Sequence, residues 1–280
     1  MKQKILLVIV LNLVGYYSIA QSISCCSKAG STETFAMLAS NEKFVSAHEA
    51  PLPFNYISSN GHLITFKTSD GNDGRAFEIK ASKPTNKYVL MVHEWWGLND
   101  YIKQEAEKLY SELGDVNVIA IDLYDGKIAT VADSASKYMQ ATKTERATAL
   151  INGVYSYMGK DVKIATIGWC FGGGWSLQSA ILAGNKASAC IMYYGMPETD
   201  MSKLKKLNAD VLGIFAAKDK WITKDIVNTF EKDMKTAGKK ITIKFFDADH
   251  AFANPSNPHF NKEFADEAHK MVLAFFKTHL

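Results

Sequence analysis

The sequence predicts a three-layer α/β domain with a mostly parallel central sheet, and two observations support this. From residue 88 onward, short apolar runs alternate with segments whose apolar residues recur at helical spacing. The runs lack the polar alternation of a half-exposed strand, which is typical of parallel strands covered by helices on both faces. The chain has 280 residues, of which 47% are hydrophobic, so one sizeable core is expected.

The N-terminus carries the pattern of an export signal. Lys2 and Lys4 precede an apolar run over residues 5–14, and small residues then suit cleavage before Gln21. A transmembrane anchor is the alternative, but it needs about 20 apolar residues and this run is shorter. We therefore predict a signal peptide over residues 1–20 and a periplasmic or extracellular location.

An N-terminal tether or arm is predicted over residues 21–60, followed by the main domain over residues 61–280. The arm shows no sustained periodicity and contains two prolines. Cys25 and Cys26 lie close to the predicted cleavage position, which suggests lipidation there as a membrane tether.

The main domain begins with two predicted strands, residues 62–67 and 75–80, which form a hairpin around the turn at residues 69–74. The alternating region follows with a strand at 88–93 and a helix at 101–113, whose apolar residues share one face. The later predicted strands are residues 116–121, 162–167, 187–194, 211–216 and 241–246. The later predicted helices are residues 143–158, 175–183, 223–235 and 262–277.

Charge and cysteine content exclude two classes of protein. The net charge is only +3, from 32 basic and 29 acidic side chains, and no basic run indicates nucleic-acid binding. Four cysteines are too few for a disulfide framework in a chain of this length. Cys190 lies in an apolar predicted strand, where a cysteine usually behaves as a small buried hydrophobe.

The segment from Gly168 to Gly172, GWCFG, joins a predicted strand to a predicted helix. It matches the nucleophile elbow G-x-S-x-G with the sulfur of Cys170 in place of the serine oxygen. Glycines at the flanking positions remove side chains that would collide where strand and helix converge, and the helix N-terminus is expected to favour the thiolate. The alternative is that the glycines only permit close packing and that Cys170 has no chemical role.

An elbow nucleophile needs an acid and a histidine, in that order along the chain. Asp219 and His250 each follow a predicted strand, so both are expected at the sheet edge that carries Cys170. Asp247 and Asp249 are alternatives to Asp219. The remaining histidines fit less well: His93 ends a strand at the same edge and is expected to be structural, and the others are His48, His62, His259, His269 and His279.

The loop that begins at His93 has a second expected role. A loop after this early strand commonly supplies one N–H group of the oxyanion hole, and the residue after the nucleophile supplies the other. The backbone N–H groups of Trp95 and Phe171 are therefore the candidates.

Six segments resemble the dienelactone hydrolase family of α/β-hydrolases, namely VLMVHEWWGLND, VIAIDLYDG, IATIGWCFGGGWSLQSA, IMYYG, GIFAAKDKWIT and DADHAFAN. The resemblance implies the α/β-hydrolase fold and a catalytic triad of Cys170, His250 and Asp219. It also aligns Glu94 with a family glutamate that interacts with the nucleophile and helps to form its thiolate.

Two positions depart from the family pattern. Dienelactone-cleaving members carry two arginines that bind the substrate carboxylate, where this chain has Gly126 and Asn254. The nearby Lys127 is a looser carboxylate ligand than the bidentate arginine fork. A chlorocatechol-pathway dienelactone is therefore not the expected substrate.

The resulting hypothesis is an exported hydrolase of small esters or lactones that uses a cysteine nucleophile and an acyl-enzyme intermediate. Tyr124, Trp221 and Phe252 are expected around the mouth of the site, with core packing as the alternative for each. This chemistry requires no metal and no organic cofactor. The alternative function is a non-catalytic small-molecule-binding protein on the same fold.

Overall fold

The computed structural model describes residues 29–280, in which eight strands and nine α-helices are present. The strands are β1 (Gly61–Lys67), β2 (Asp73–Ile79), β3 (Lys87–Val92), β4 (Asn117–Ile121), β5 (Lys163–Trp169), β6 (Ala187–Tyr193), β7 (Asp210–Ala216) and β8 (Ile241–Phe246). The helices are α1 (Ser31–Met37), α2 (Glu42–Ser46), α3 (Asp100–Leu113), α4 (Ala132–Ala141), α5 (Thr144–Met158), α6 (Phe171–Ala183), α7 (Met201–Leu204), α8 (Lys224–Thr236) and α9 (Lys262–His279).

All eight strands belong to one sheet, in the order β1-β2-β4-β3-β5-β6-β7-β8. The β1–β2 and β2–β4 pairs are antiparallel, whereas the remaining pairs are parallel. The chain reverses its direction of travel across the sheet after β4, so right-handed crossovers place α3 and α6 on opposite faces. Helix α9 packs beside α3, and α5 packs beside α6. This arrangement confirms the predicted three-layer α/β class with a mostly parallel sheet.

Helix α6 begins at Phe171, four residues earlier than the sequence predicts. Its first turn contains Gly172, Gly173 and Gly174, residues of low helix propensity, which is why the pattern placed the start at residue 175. A Cβ atom on Gly173 would lie 2.6 Å from the carbonyl oxygen of Tyr193, so packing against β6 requires glycine there. Tertiary packing therefore overrides local propensity at this helix end.

Several helices were not predicted. Helix α4 buries only Ala135 and Met139, so its apolar stripe is too weak to stand out in the sequence. Helices α1 and α2 lie in the segment predicted as an irregular arm, and both are short. The Asn41 side chain caps α2 by accepting hydrogen bonds from the N–H groups of Lys43 and Phe44. We use the term N-terminal arm for residues 31–48, which contain both helices and form only part of the segment 21–60 predicted as a tether or arm.

The chain between the arm and β1 is fixed to α3 through one carboxylate. Glu107 accepts hydrogen bonds from the hydroxyl groups of Tyr56 (2.7 Å) and Ser58 (2.5 Å), from the Asn60 side chain (2.7 Å) and from the Ser59 N–H (3.2 Å). These four bonds outweigh partial burial and hold the pKa of Glu107 below its ordinary value. The C-terminal end of this connection, just before β1, is therefore fixed to α3, whereas the arm itself lies further back along the chain.

The predicted signal peptide, Cys25 and Cys26 lie outside the described residues. From residue 29 to the C-terminus, no helix combines the length and the apolar character needed to cross a bilayer.

Candidate active site

Cys170 lies at the junction of β5 and α6, in a strained backbone conformation. Its φ of 57° and ψ of −119° are unusual for a residue with a side chain. A Cβ atom on Gly168 would lie 2.0 Å from the carbonyl oxygen of Gly172, so strand and helix converge as closely as the elbow motif requires. The Cys170 side chain is buried, and the residue is only 1% exposed.

The structure brings Asp219 and His250 together at the same edge of the sheet. Asp219 follows β7, His250 follows β8, and His250 Nδ1 lies 2.6 Å from Asp219 Oδ2. The other carboxylate oxygen accepts hydrogen bonds from the N–H groups of Trp221 (2.9 Å) and Ile222 (3.0 Å). These contacts orient the imidazole so that Nε2 remains for the nucleophile.

The nucleophile and the histidine are close but not yet hydrogen bonded with normal geometry. A ring nitrogen of His250 and Sγ of Cys170 lie within 4.8 Å of each other. His250 Nε2 is buried and has no hydrogen-bond partner among the described residues. Contacts of this kind often shorten only when substrate is bound.

Burial and local charge set the protonation of the three groups. Burial raises the pKa of the Cys170 thiol, and the nearby His250 and the Phe171 N–H only partly offset this. For Asp219, burial opposes ionisation, yet His250 and two backbone N–H groups bring its pKa below the ordinary value. Burial is the largest single influence on His250 and disfavours its imidazolium, but Asp219 and Cys170 together outweigh burial and raise the pKa of His250. Burial of Cys170 therefore acts against the thiolate that the helix N-terminus is expected to favour.

Glu94 lies in the loop after β3, next to the nucleophile. Its Oε2 accepts a 2.5 Å hydrogen bond from the Asn254 side chain. Burial raises the pKa of Glu94 to about 7, while His250 and Asn254 act in the opposite direction. Asn254 is one of the two positions where the resemblance has an arginine, so the glutamate here has a neutral partner. At the other position, a Cβ atom on Gly126 would lie 2.8 Å from Nη1 of Arg75.

The loop that carries Trp95 is packed against the elbow. A Cβ atom on Gly172 would lie 2.4 Å from the carbonyl oxygens of both Val92 and His93. His93 is fully buried, with Nδ1 2.6 Å from the Glu94 carbonyl oxygen and Nε2 accepting from the Leu123 N–H at 3.0 Å. Both ring nitrogens are thus engaged, which gives His93 the expected structural role of fixing this loop.

Tyr124 and Trp221, two of the three aromatic residues predicted around the mouth, pack against residues of the candidate site. The Tyr124 ring packs 4.7 Å from His93 and 5.7 Å from Phe171, and its buried hydroxyl has no partner among the described residues. Trp221 is half-buried, with its ring edge-on to His250 at 5.8 Å.

Phe252 is a correction to the sequence-based prediction. It is fully buried and packs 5.1 Å from Phe246 and 5.7 Å from Tyr194, so it belongs to the core. Tyr194, which the sequence analysis did not select, packs 5.0 Å from His250 at the end of β6. Tyr194 directly follows β6, the strand beside β5, and this position could have indicated it from the sequence.

The N-terminal arm covers His250 and the neighbouring Trp95 and Trp221. The Phe44 ring lies 5.6 Å from Trp95 and 5.1 Å from Trp221, and the His48 ring lies 4.6 Å from Trp95 and 5.3 Å from His250. Burial lowers the pKa of His48 to about 3, with a further contribution from His250. His48 was not expected at the site, because it precedes the region of alternating strands and helices.

Two cavities flank the covered site. One, of about 230 Å³, is lined by Glu94, Trp96, Tyr193, Asn254 and Phe260 among others. The other, of about 140 Å³, lies between the end of the arm, Trp221 and His250. Cys170 lines neither cavity, and a ring nitrogen of His48 from the arm lies within 4.8 Å of its sulfur.

The fold and this arrangement of elbow, histidine and acid define an α/β-hydrolase. A family model described as "Dienelactone hydrolase family" matches residues 74–280. The chain belongs to the dienelactone hydrolase family and is a hydrolase of the class that acts on esters or lactones.

Individual relatives agree with this assignment. Carboxymethylenebutenolidase of Pseudomonas sp. (strain P51) is 29% identical over 207 residues, which cover 68% of this chain and 83% of the relative. Protein usf of Aquifex pyrophilus is 26% identical over 233 residues, covering 79% of this chain and 99% of the relative. A solved dienelactone hydrolase-like promiscuous phosphotriesterase from metagenomic libraries has a TM-score of 0.67 at 20% identity, covering 79% of this chain and 99% of its own. That likeness shows the fold.

The raised pKa of Glu94 predicts how stability depends on pH. Between the ordinary value of 4.5 and about 7, the folded protein binds one proton more than the unfolded chain. The contribution of Glu94 to the free energy of unfolding should therefore fall as the pH rises through this window, by up to about 3 kcal/mol in total. His48, with its pKa of about 3, contributes in the opposite direction in both proteins, so the effect is measured as the difference between wild type and Glu94→Gln in urea denaturation at several pH values. A difference that does not change with pH would contradict the raised pKa of Glu94.

The covering arm predicts that Cys170 reacts slowly until the arm loosens. Phe44→Ala removes a fully buried ring from the contact with Trp95 and Trp221, so iodoacetamide should alkylate Cys170 about tenfold faster or more. Phe54→Ala is the matched control, since Phe54 is 37% exposed and stacks on Tyr101 in the chain that follows the arm. Peptide mapping by mass spectrometry measures both rates, with buried Cys190 as internal reference. Equal rates of Cys170 alkylation in the two variants would contradict the covering role of the arm.

Proposed function

We propose that the protein is an exported hydrolase of small esters or lactones in which Cys170, His250 and Asp219 act as a triad through an acyl-enzyme. The observation that carries the proposal is the 2.6 Å contact between His250 Nδ1 and Asp219 Oδ2 at the sheet edge that holds the elbow cysteine. A hydrogen-bonded histidine beside a nucleophile, oriented by a third group, is the arrangement that activates nucleophiles in acyl transfer.

The proposed reaction has two halves. His250 Nε2 takes the thiol proton as Sγ of Cys170 attacks the carbonyl carbon, and the N–H groups of Phe171 and Trp95 bind the oxyanion. The C–O bond breaks, the leaving oxygen takes the proton from His250, and a thioester remains on Cys170. Water then attacks the thioester with His250 again as base, which releases the acid and returns the proton to the thiol.

The other groups prepare the site for this chemistry. Asp219 holds the proton on Nδ1, so that Nε2 is the basic nitrogen. Glu94, with a pKa of about 7, is the group that the family resemblance assigns to forming the thiolate when substrate arrives. No step requires a metal ion or an organic cofactor.

The substrate is proposed to be a small ester or lactone without a carboxylate at the family's arginine-binding position. Asn254 and Gly126 carry no positive charge themselves, and Asn254 is already bonded to Glu94. The guanidinium beside Gly126 belongs to the exposed Arg75 of β2. The cavities of about 230 and 140 Å³ have room for small groups, and the aromatic walls formed by Trp96, Tyr193 and Trp221 favour apolar ones. A relative's name, carboxymethylenebutenolidase, supports a lactone as one member of this class.

Export rests on the sequence pattern over residues 1–20. The proposed location is the periplasm or the cell exterior, with lipidation at Cys25 or Cys26 as the alternative that adds a membrane tether. Mass spectrometry of the protein recovered from cells distinguishes these: a chain that begins at Gln21 supports cleavage there, a lipid-modified chain that begins at Cys25 or Cys26 supports the tether, and one that retains Met1 refutes export by this route.

The triad proposal predicts that activity depends on one cysteine and not on the other. Cys170→Ala should lower kcat/KM for short p-nitrophenyl esters by at least about 10³-fold, because the attacking sulfur is lost. Cys190→Ala is the matched control, since Cys190 is equally buried but contacts Ser176 in the core. Similar activity of Cys170→Ala and Cys190→Ala would sink the proposal. A protein that binds esters without turnover in every form would instead favour a non-catalytic binding role.

A further inference from the structure

The cluster formed by Cys170, His250 and His48 has the composition of a transition-metal site. The sulfur of the cysteine and one ring nitrogen of each histidine lie within 4.8 Å of one another, and all three residues are buried. We propose that these three side chains bind a zinc ion, and that the N-terminal arm thereby locks the active site in its closed form.

The histidines are oriented as metal ligands are. Nδ1 of His48 lies 2.7 Å from the carbonyl oxygen of Phe44, and Nδ1 of His250 lies 2.6 Å from Asp219 Oδ2. Metal-binding histidines almost always donate their second ring N–H to a carbonyl or carboxylate in this way, which fixes the tautomer and the ring orientation. Nε2 of each ring is thus the atom available for coordination, and any proton on His250 Nε2 leaves when a metal ion binds.

These two ring nitrogens have no other use in the closed structure. His48 Nε2 and His250 Nε2 are both buried without a hydrogen-bond partner among the described residues. A buried polar atom without a partner is costly, and an incoming ligand relieves the cost. The two nitrogens belong to chain segments about 200 residues apart, so the cluster exists only while the arm is closed.

The donor set favours zinc over hard cations. One thiolate and two imidazoles suit Zn²⁺, whereas Mg²⁺ and Ca²⁺ require oxygen ligands. Tetrahedral zinc places such donors about 3.3 to 3.6 Å apart, so the donors need to approach by about 1 Å. His48 lies two residues beyond α2, and a small movement of the arm supplies this. The fourth position is left for water.

Zinc binding is a ligand exchange on the metal ion, and no group is oxidised or reduced. One Zn–S bond and two Zn–N bonds form, the Cys170 thiol releases its proton to solvent, and each imidazole keeps its Nδ1 proton. Because the ion occupies the sulfur and His250 Nε2 together, it removes the nucleophile and the base at once. This inhibitory consequence rests on the proposed function, whereas zinc binding itself does not.

The site belongs to this chain rather than to the matched family region. His48 lies outside residues 74–280, the part of the chain that the family model covers. The proposal therefore depends on the arm and is tested most directly at His48.

Zinc binding by the purified protein, measured by isothermal titration calorimetry without substrate, tests the site. Wild type should bind one Zn²⁺ per chain, and His48→Gln should bind at least about 100-fold more weakly, since losing a ligand costs more than losing a supporting residue. His259→Gln is the matched control: it removes an exposed histidine that lines the cavity beside His250 and should leave the affinity unchanged. His48→Cys restores a soft ligand and should recover tight binding, which guards against a folding defect in His48→Gln.

Two further measurements identify the ligands and the consequence. With Co²⁺ in place of zinc, wild type should show a thiolate-to-cobalt charge-transfer band that Cys170→Ser lacks. Zinc should inhibit ester hydrolysis over the concentration range in which it binds, a chelator should restore activity, and His48→Gln should need about 100-fold more zinc.

The outcomes separate the two proposals. Equal zinc affinity in wild type and His48→Gln, or an unchanged cobalt band in Cys170→Ser, overturns the metal site and leaves the hydrolase proposal standing. Tight zinc binding with the expected ligands in a protein that hydrolyses no ester would refute the proposed function and retain the metal site.

Discussion

The site depends on a reversal of the backbone within a single residue, Cys170. Strand and helix meet so closely there that a methyl group on Gly168 would lie 2.0 Å from the Gly172 carbonyl oxygen. The same helix start touches the ends of β3 and β6, through Gly172 and Gly173 respectively. Those contacts fix where the Glu94–Trp95 loop and Tyr194 leave the sheet. The nucleophile and its surroundings are therefore set by one steric constraint.

The pKa values of two buried carboxyl groups near Cys170 are shifted in opposite directions. Asp219 is surrounded by His250 and the N–H groups of Trp221 and Ile222, which lower its pKa in spite of burial. Glu94 has one neutral hydrogen-bond donor, Asn254, and burial dominates its pKa. The local environment, rather than the residue type, thus decides which carboxyl group ionises more readily than usual and which less readily.

The sequence was sufficient to predict the sheet and the meeting of Cys170, Asp219 and His250 at one of its edges. Apolar runs without alternation are produced by burial on both faces, so the parallel strands were visible locally. The ends of those strands then placed Cys170, Asp219 and His250 at one edge. Sequence alone could not show how side chains are directed beyond a strand end, which is why Phe252 was expected at the mouth but lies in the core.

The arm shows a different limit of sequence-based prediction. His48 reaches the site by a tertiary contact between a segment without periodicity and loops more than 40 residues away in sequence, and no local pattern encodes such a contact. The burial that raises the pKa of the Cys170 thiol was also not visible in the sequence, whereas the helix N-terminus that acts against it was.

The anchorage of residues 56–60 on Glu107 makes the arm a tethered competitor of the substrate. Because the covering residues are joined to the domain by a short, fixed connection, their local concentration at the site is on the order of millimolar and does not fall on dilution. Substrate affinity is reduced by the fraction of molecules in which the arm is open. A substrate that reaches Cys170 must therefore displace an aromatic residue and a histidine, Phe44 and His48.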